Sequence, residues 1–138
     1  MNYLMNLCLT ALLMSMAVGV QGQCNKNNIK VPPNLEPYNK KNQPRTLTLE
    51  TRGIKELKLL IYTTNGTKVF ESSSALVGAS EEKIKLLDTG WDGMQLGENL
   101  AAGIYIYSME AQCLDKSMIR KSGSIILTID ATKPVDQP

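Results

Sequence analysis

The chain has no histidine. That excludes Ser-His-Asp and Cys-His nucleophilic sites of the usual kind, and it removes the commonest ligand for zinc and copper. Aromatic residues are scarce: one Trp, one Phe and five Tyr in 138 residues. A stacking platform for nucleobases is therefore not expected. Neither sign of charge dominates. Fifteen Lys plus Arg against thirteen Asp plus Glu leave a net +2, too mild to indicate nucleic acid as a partner. Gly90, Gly93 and Gly97 precede an apolar alternating run and not a helix, so they form no phosphate-cradling loop. No cofactor and no metal are expected.

What is present begins with a leader. The first 22 residues contain no Lys, Arg, Asp or Glu, and residues 4–20 are almost continuously apolar. Val20 and Gly22 stand where signal peptidase accepts small residues, so residues 1–22 read as a signal peptide. The rival reading is a membrane anchor, although a spanning helix needs about 20 apolar residues. A lipid anchor on Cys24 is the less favoured alternative, because Gln23 before it is not small. The mature chain is 138 − 22 = 116 residues and holds every charge. Cys8 leaves with the leader. Cys24 and Cys113 remain, an even pair in an oxidising compartment. They form either a disulfide, closing a loop of about 90 residues, or two separate thiols.

Residues 23–44 read as a polar lead-in, a short edge strand at 29–31, and a loop rich in Pro and Asn. Pro32 and Pro33 end the strand because Pro donates no ladder hydrogen bond. Residues 45–130 read as the core. Period-two alternation marks strands at 46–51 and 57–62. Asn65-Gly66 is a hairpin signal, since both residues tolerate positive φ, and residues 69–71 return as the partner strand. Residues 72–80 read as a connection, and 83–87 as a strand or one helical turn. The longest strand is 103–111, with large groups on both faces. Residues 118–121 and 124–129 read as a hairpin around Gly123, and 131–138 as a tail. With six to eight short strands and no helical period, the fold expected is an all-β antiparallel sandwich.

Asp88 and Asp92 flank Trp91 and invite an acid–base reading. The favoured reading is that each accepts backbone hydrogen bonds within a turn, and no catalytic residue is assigned.

The motif Trp91-Asp92-Gly93, then Gly97, Leu100, Ala102-Gly103-Ile104-Tyr105-Ile106-Tyr107, and later Gly123-Ser124-Ile125-Ile126-Leu127, resembles the gliding-motility-associated C-terminal domain family of Bacteroidota. That family's pattern is WDG, a short loop, LPxGxYxY and a closing GxVxL strand. Residues 61–71 match its IFNRWGxxVFE hairpin in register, and Cys113 sits where many members carry a Cys. The resemblance runs over residues 29–129. It implies an immunoglobulin-like sandwich and a link to the type IX secretion system, where such domains act as sorting signals on large surface adhesins. Two departures stand out. The family's acidic VPNAFTPNGDGxND loop is replaced here by residues 31–44, with Lys40 and Lys41 where Asp and Gly would stand. Two ammonium groups would repel a cation, so no calcium is expected there. Members also usually follow a large passenger, and only the short leader precedes this domain.

The function expected is an exported, non-catalytic partner subunit at the outer membrane or cell surface. It would serve a type IX-exported adhesin or the secretion and gliding machinery, with Tyr38, Lys40 and Lys41 as a candidate contact loop. The alternative is an independent adhesin or glycan-binding module using Tyr38, Tyr62, Tyr105 and Tyr107. That reading gains if the face of Tyr105 and Tyr107 is exposed and fades if it is core.

Overall fold

The computed structural model describes residues 24–37, 45–75 and 85–129. The expected leader, most of the basic loop with Tyr38, Lys40 and Lys41, and the tail lie outside these described residues.

A 3-10 turn at Lys26–Asn28 opens the domain, capped by the Asn25 side chain. The strands that follow are β1 (Ile29–Lys30), β2 (Asn34–Leu35), β3 (Thr48–Thr51), β4 (Ile54–Thr63) and β5 (Lys68–Ala75). Next come β6 (Lys85–Asp88), β7 (Met94–Gln95), β8 (Glu98–Asn99), β9 (Gly103–Cys113) and β10 (Met118–Leu127). Two sheets enclose one core. The smaller has the order β1-β3-β6 and the larger β2-β10-β9-β4-β5. The all-β sandwich expected from the alternation is what forms. The orders β1-β3-β6 and β10-β9-β4 follow the A-B-E and G-F-C orders of immunoglobulin-like sandwiches. One pair departs from antiparallel: β2 runs parallel to β10, with Ile126 opposite Asn34 and Leu127 opposite Leu35. The chain crosses from one sheet to the other at Pro32-Pro33. The stretch read as loop thus contains a strand of two residues, which the adjacent prolines concealed.

The core is made by the alternate residues that strand geometry turns inward. Leu57, Leu59 and Ile61 of β4 meet Tyr105, Tyr107, Met109 and Ala111 of β9, with Ile125 and Leu127 of β10 beside them. Ile29, Leu47 and Leu49 close the core from the smaller sheet.

Three local readings are corrected. β5 runs on to Ala75, so part of the Ser-rich stretch read as a connection is strand. The Asn65-Gly66 hairpin uses a longer turn than a two-residue Asn-Gly connection. Gly66 N–H donates to Thr63 O at 3.0 Å and Thr63 N–H to Thr67 O at 2.9 Å. Only Gly66 has positive φ there, at +90°, giving a three-residue loop with a bulge. Third, Gly123 is not a turn. β10 passes straight through it opposite Tyr107. A Cβ at Gly123 would lie 2.7 Å from the Tyr107 Oη and 2.8 Å from its Cε1 and Cζ. The glycine is there so that the inward Tyr ring can lie over the neighbouring strand. Gly123→Ala is expected to cost roughly 1–3 kcal/mol by overpacking. Urea denaturation with an unchanged midpoint would contradict this.

Candidate interaction surface

The Trp91-Asp92-Gly93 motif is built as a plug. Trp91 is fully buried. Its ring centroid lies 6.4 Å from Phe70 and 5.7 Å from Tyr105, the latter edge-on. The backbone around it is stitched to the smaller sheet. Leu47 N–H donates to Trp91 O at 2.7 Å, Thr89 N–H donates to Leu47 O at 3.0 Å, and Thr89 Oγ1 donates to the same carbonyl at 2.9 Å. Trp91 therefore ties both sheets together. Gly93 has φ +77°, and a Cβ there would sit 2.7 Å from Leu127 Cδ1, so no other residue fits without displacing the core. Tyr105 donates its O–H to Ala101 O at 2.7 Å, the tyrosine corner of immunoglobulin-like domains. Burial raises the pKa of both Tyr105 and Tyr107.

Asp88 and Asp92 are used locally. Asp88 Oδ1 accepts from Gly90 N–H at 2.8 Å and Asp92 Oδ1 from Met94 N–H at 3.0 Å. Neither lines the two described surface depressions. One, about 520 Å³, is lined by Pro32, Asn34, Leu35, Glu36 and residues 45–48. The other, about 460 Å³, lies over Glu56, Lys58, Ser73, Glu110, Gln112 and Met118. Among the described residues no three Cys, Asp or Glu side chains gather as a metal site.

Cys24 and Cys113 are joined by a disulfide with Cα atoms 6.3 Å apart. It fastens the N-terminal segment to the end of β9. Lys121 reinforces the fastening by donating from Nζ to Ile29 O at 2.6 Å and Lys26 O at 3.2 Å.

The outer face of the larger sheet is divided. One half is charged. Glu71 accepts from Lys68 at 2.6 Å and lies 2.9 Å from Lys58, and Arg120 pairs with Glu110 at 2.6 Å. The hydrogen bond from Lys68, then that from Lys58, holds the Glu71 carboxyl down to about 2. Lys68 is raised in return by the same partner. These groups are exposed, and such pairs contribute little to stability.

The other half is apolar. Ile104 and Ile126 are cross-strand partners, 55% and 44% exposed, and Ile106 beside them is 39% exposed. Half-buried Tyr62 is the register partner of Ile106 on β4. Leu60, also half-buried, stands two residues before Tyr62 on the same face. Contiguous exposed apolar side chains of this kind mark contact surfaces. The glycan-binding alternative would gain from an exposed face of Tyr105 and Tyr107 and fade if that face were core. These tyrosines are 5% and 6% exposed, and the Ile side of β9 faces solvent instead.

The apolar patch was not singled out from the sequence. Its signal was the unbroken run Ile125-Ile126-Leu127 and the double-faced 104–107 stretch, which period two alone does not explain on a sheet with one wet face.

No family model matches the chain, and no curated protein matches it. Among solved structures, CopC from Methylosinus trichosporium OB3b superposes with TM-score 0.49 at 13% identity, over 76% of this chain and 91% of that one. A superoxide reductase (neelaredoxin) from Ignicoccus hospitalis gives TM-score 0.35 at 12% identity, over 72% and 78%. These are distant likenesses, and no role is drawn from them.

Proposed function

We propose that this chain is an exported, non-catalytic immunoglobulin-like binding module of the cell envelope. It serves as a partner subunit of a type IX-exported surface adhesin or of the secretion and gliding machinery. The observation that carries the binding reading is the apolar half-face of Ile104, Ile106 and Ile126, held on a rigid sheet next to an ion-paired half. An exposed apolar patch bordered on one side by charged groups suits a protein surface. The leader-like sequence and the Cys24–Cys113 bridge support export into an oxidising compartment. The type IX association rests on the resemblance of the Trp91-to-Tyr107 motif and the 61–71 hairpin.

Affinity purification of the tagged chain from the native envelope tests the reading. Stoichiometric recovery of a surface adhesin or secretion component is expected. Recovery as a lone monomer would overturn it.

A further inference from the structure

A second apolar feature stands apart from that face. β7 and β8 are joined by Leu96-Gly97 alone, with Met94 opposite Asn99 and Gln95 opposite Glu98. Leu96 has φ +52° and Gly97 φ +85°. This is the two-residue hairpin turn in which both central residues must be left-handed. Asn, Asp and Gly suit its first position, whereas a leucine Cβ crowds the following carbonyl. Leu96 is also 99% exposed. The backbone strain is a cost that Asn or Gly would remove, and the exposed side chain makes no packing contact that offsets it.

The mount beneath Leu96 is stiff. Met94 N–H is held by Asp92 Oδ1, and Leu100 N–H donates to Gly93 O at 3.0 Å. Gln95 Nε2 donates to Lys68 O at 3.4 Å, tying the hairpin to β5. A single exposed leucine on an ordinary backbone would need no explanation. A strained, fully exposed one held out on a braced hairpin points to use.

We infer that Leu96 is a docking knob that inserts into an apolar pocket on the protein partner proposed above; the inference rests on that reading. A lipid surface fits less well. Glu98 is the only charge in residues 94–99, so anionic headgroups find no Lys or Arg to pair with. The hairpin leads through residues 100–102 into β9 but is tied to β5, so the knob is a contact separate from the Ile104 and Ile106 half-face.

The test titrates fluorescently labelled chain onto native envelope vesicles, with liposomes of the extracted lipids as the second probe. Wild type should bind the vesicles saturably and the liposomes far more weakly. Leu96→Asn should weaken vesicle binding roughly ten- to hundred-fold, the worth of burying one leucine side chain. The same variant should melt roughly 2–5 °C higher, because backbone strain is relieved. Opposite signs in binding and stability are the signature of a knob. Wild-type affinity in Leu96→Asn, a lower melting temperature, or equal binding to liposomes would each overturn it. Ile104→Asp separates the two proposals: if it alone abolishes binding, the face stands and the knob falls. If wild type does not bind the vesicles at all, both fall.

Discussion

Trp91→Ala is expected to lower the unfolding free energy by roughly 3–5 kcal/mol, the usual result of deleting a buried tryptophan. For a domain of this size that corresponds to a drop in melting temperature of roughly 12–20 °C. Marginal stability makes such a loss close to unfolding. The ring lies against Phe70 of β5 and Tyr105 of β9 while its backbone carbonyl accepts from Leu47. Truncation therefore opens a cavity between the sheets instead of at one edge. Trp91→Phe should cost far less, roughly 1–2 kcal/mol. Trp91 Nε1 is buried with no hydrogen-bond partner among the described residues, so phenylalanine loses ring area but no hydrogen bond. Calorimetry of both variants decides. If Trp91→Ala melts within a few degrees of wild type, the plug role is wrong. If the two variants lose equal stability, Nε1 has a partner whose loss matters.

The second large effect concerns the bridge. Cys24→Ser should cost roughly 2–5 kcal/mol, the range for removing a native disulfide from a small secreted domain. Reduced wild type should match it. The loss should also be uneven. β1 contributes two residues, held to β3 by Ile29 opposite Thr51 and Lys30 opposite Glu50. Without the bridge it is held by that short ladder, the buried Ile29 side chain, the hydrogen bonds between Asn28 and Arg52, and those from Lys121. Amide exchange at Ile29 should therefore accelerate before exchange in β4 and β9, as a locally opening unit does. Uniform acceleration across the domain would contradict the fastening role.

Period-two alternation was legible wherever a strand met one wet and one dry face. It located β3, β4 and β9, and found β10 only as two pieces divided at Gly123, because burial at every second residue is what a half-buried strand imposes. It could not say which side of β9 faces in. Ile104 and Ile106 are more apolar than Tyr105 and Tyr107, yet the tyrosines are inside. Tyr105 satisfies its hydroxyl at Ala101 O, and Tyr107 lies over Gly123. The first depends on how the chain bends four residues upstream and the second on the close approach of a neighbouring strand, and alternation encodes neither. Gly123 was misread for the same cause: a strand glycine and a turn glycine look alike until the ring opposite is seen. The reverse happened at Leu96-Gly97, where a leucine in a turn position hid a two-residue hairpin. Asp92 as a turn residue and Trp91 as a packing anchor were legible, because no convergent polar partners accompany them in the sequence. The outer apolar half-face was not, since it exists only once β4, β9 and β10 lie side by side.

The most direct measurement of the central claim is co-purification from the native envelope with the doubly substituted chain Ile104→Asp, Ile126→Asp. Both side chains are on the solvent face, so stability should stay near that of wild type, as exposed substitutions usually leave it. The expected result is a normally folded chain that no longer recovers the surface or secretion component bound by wild type. Undiminished recovery of that component by the folded variant would contradict the claim that this face is where the module binds.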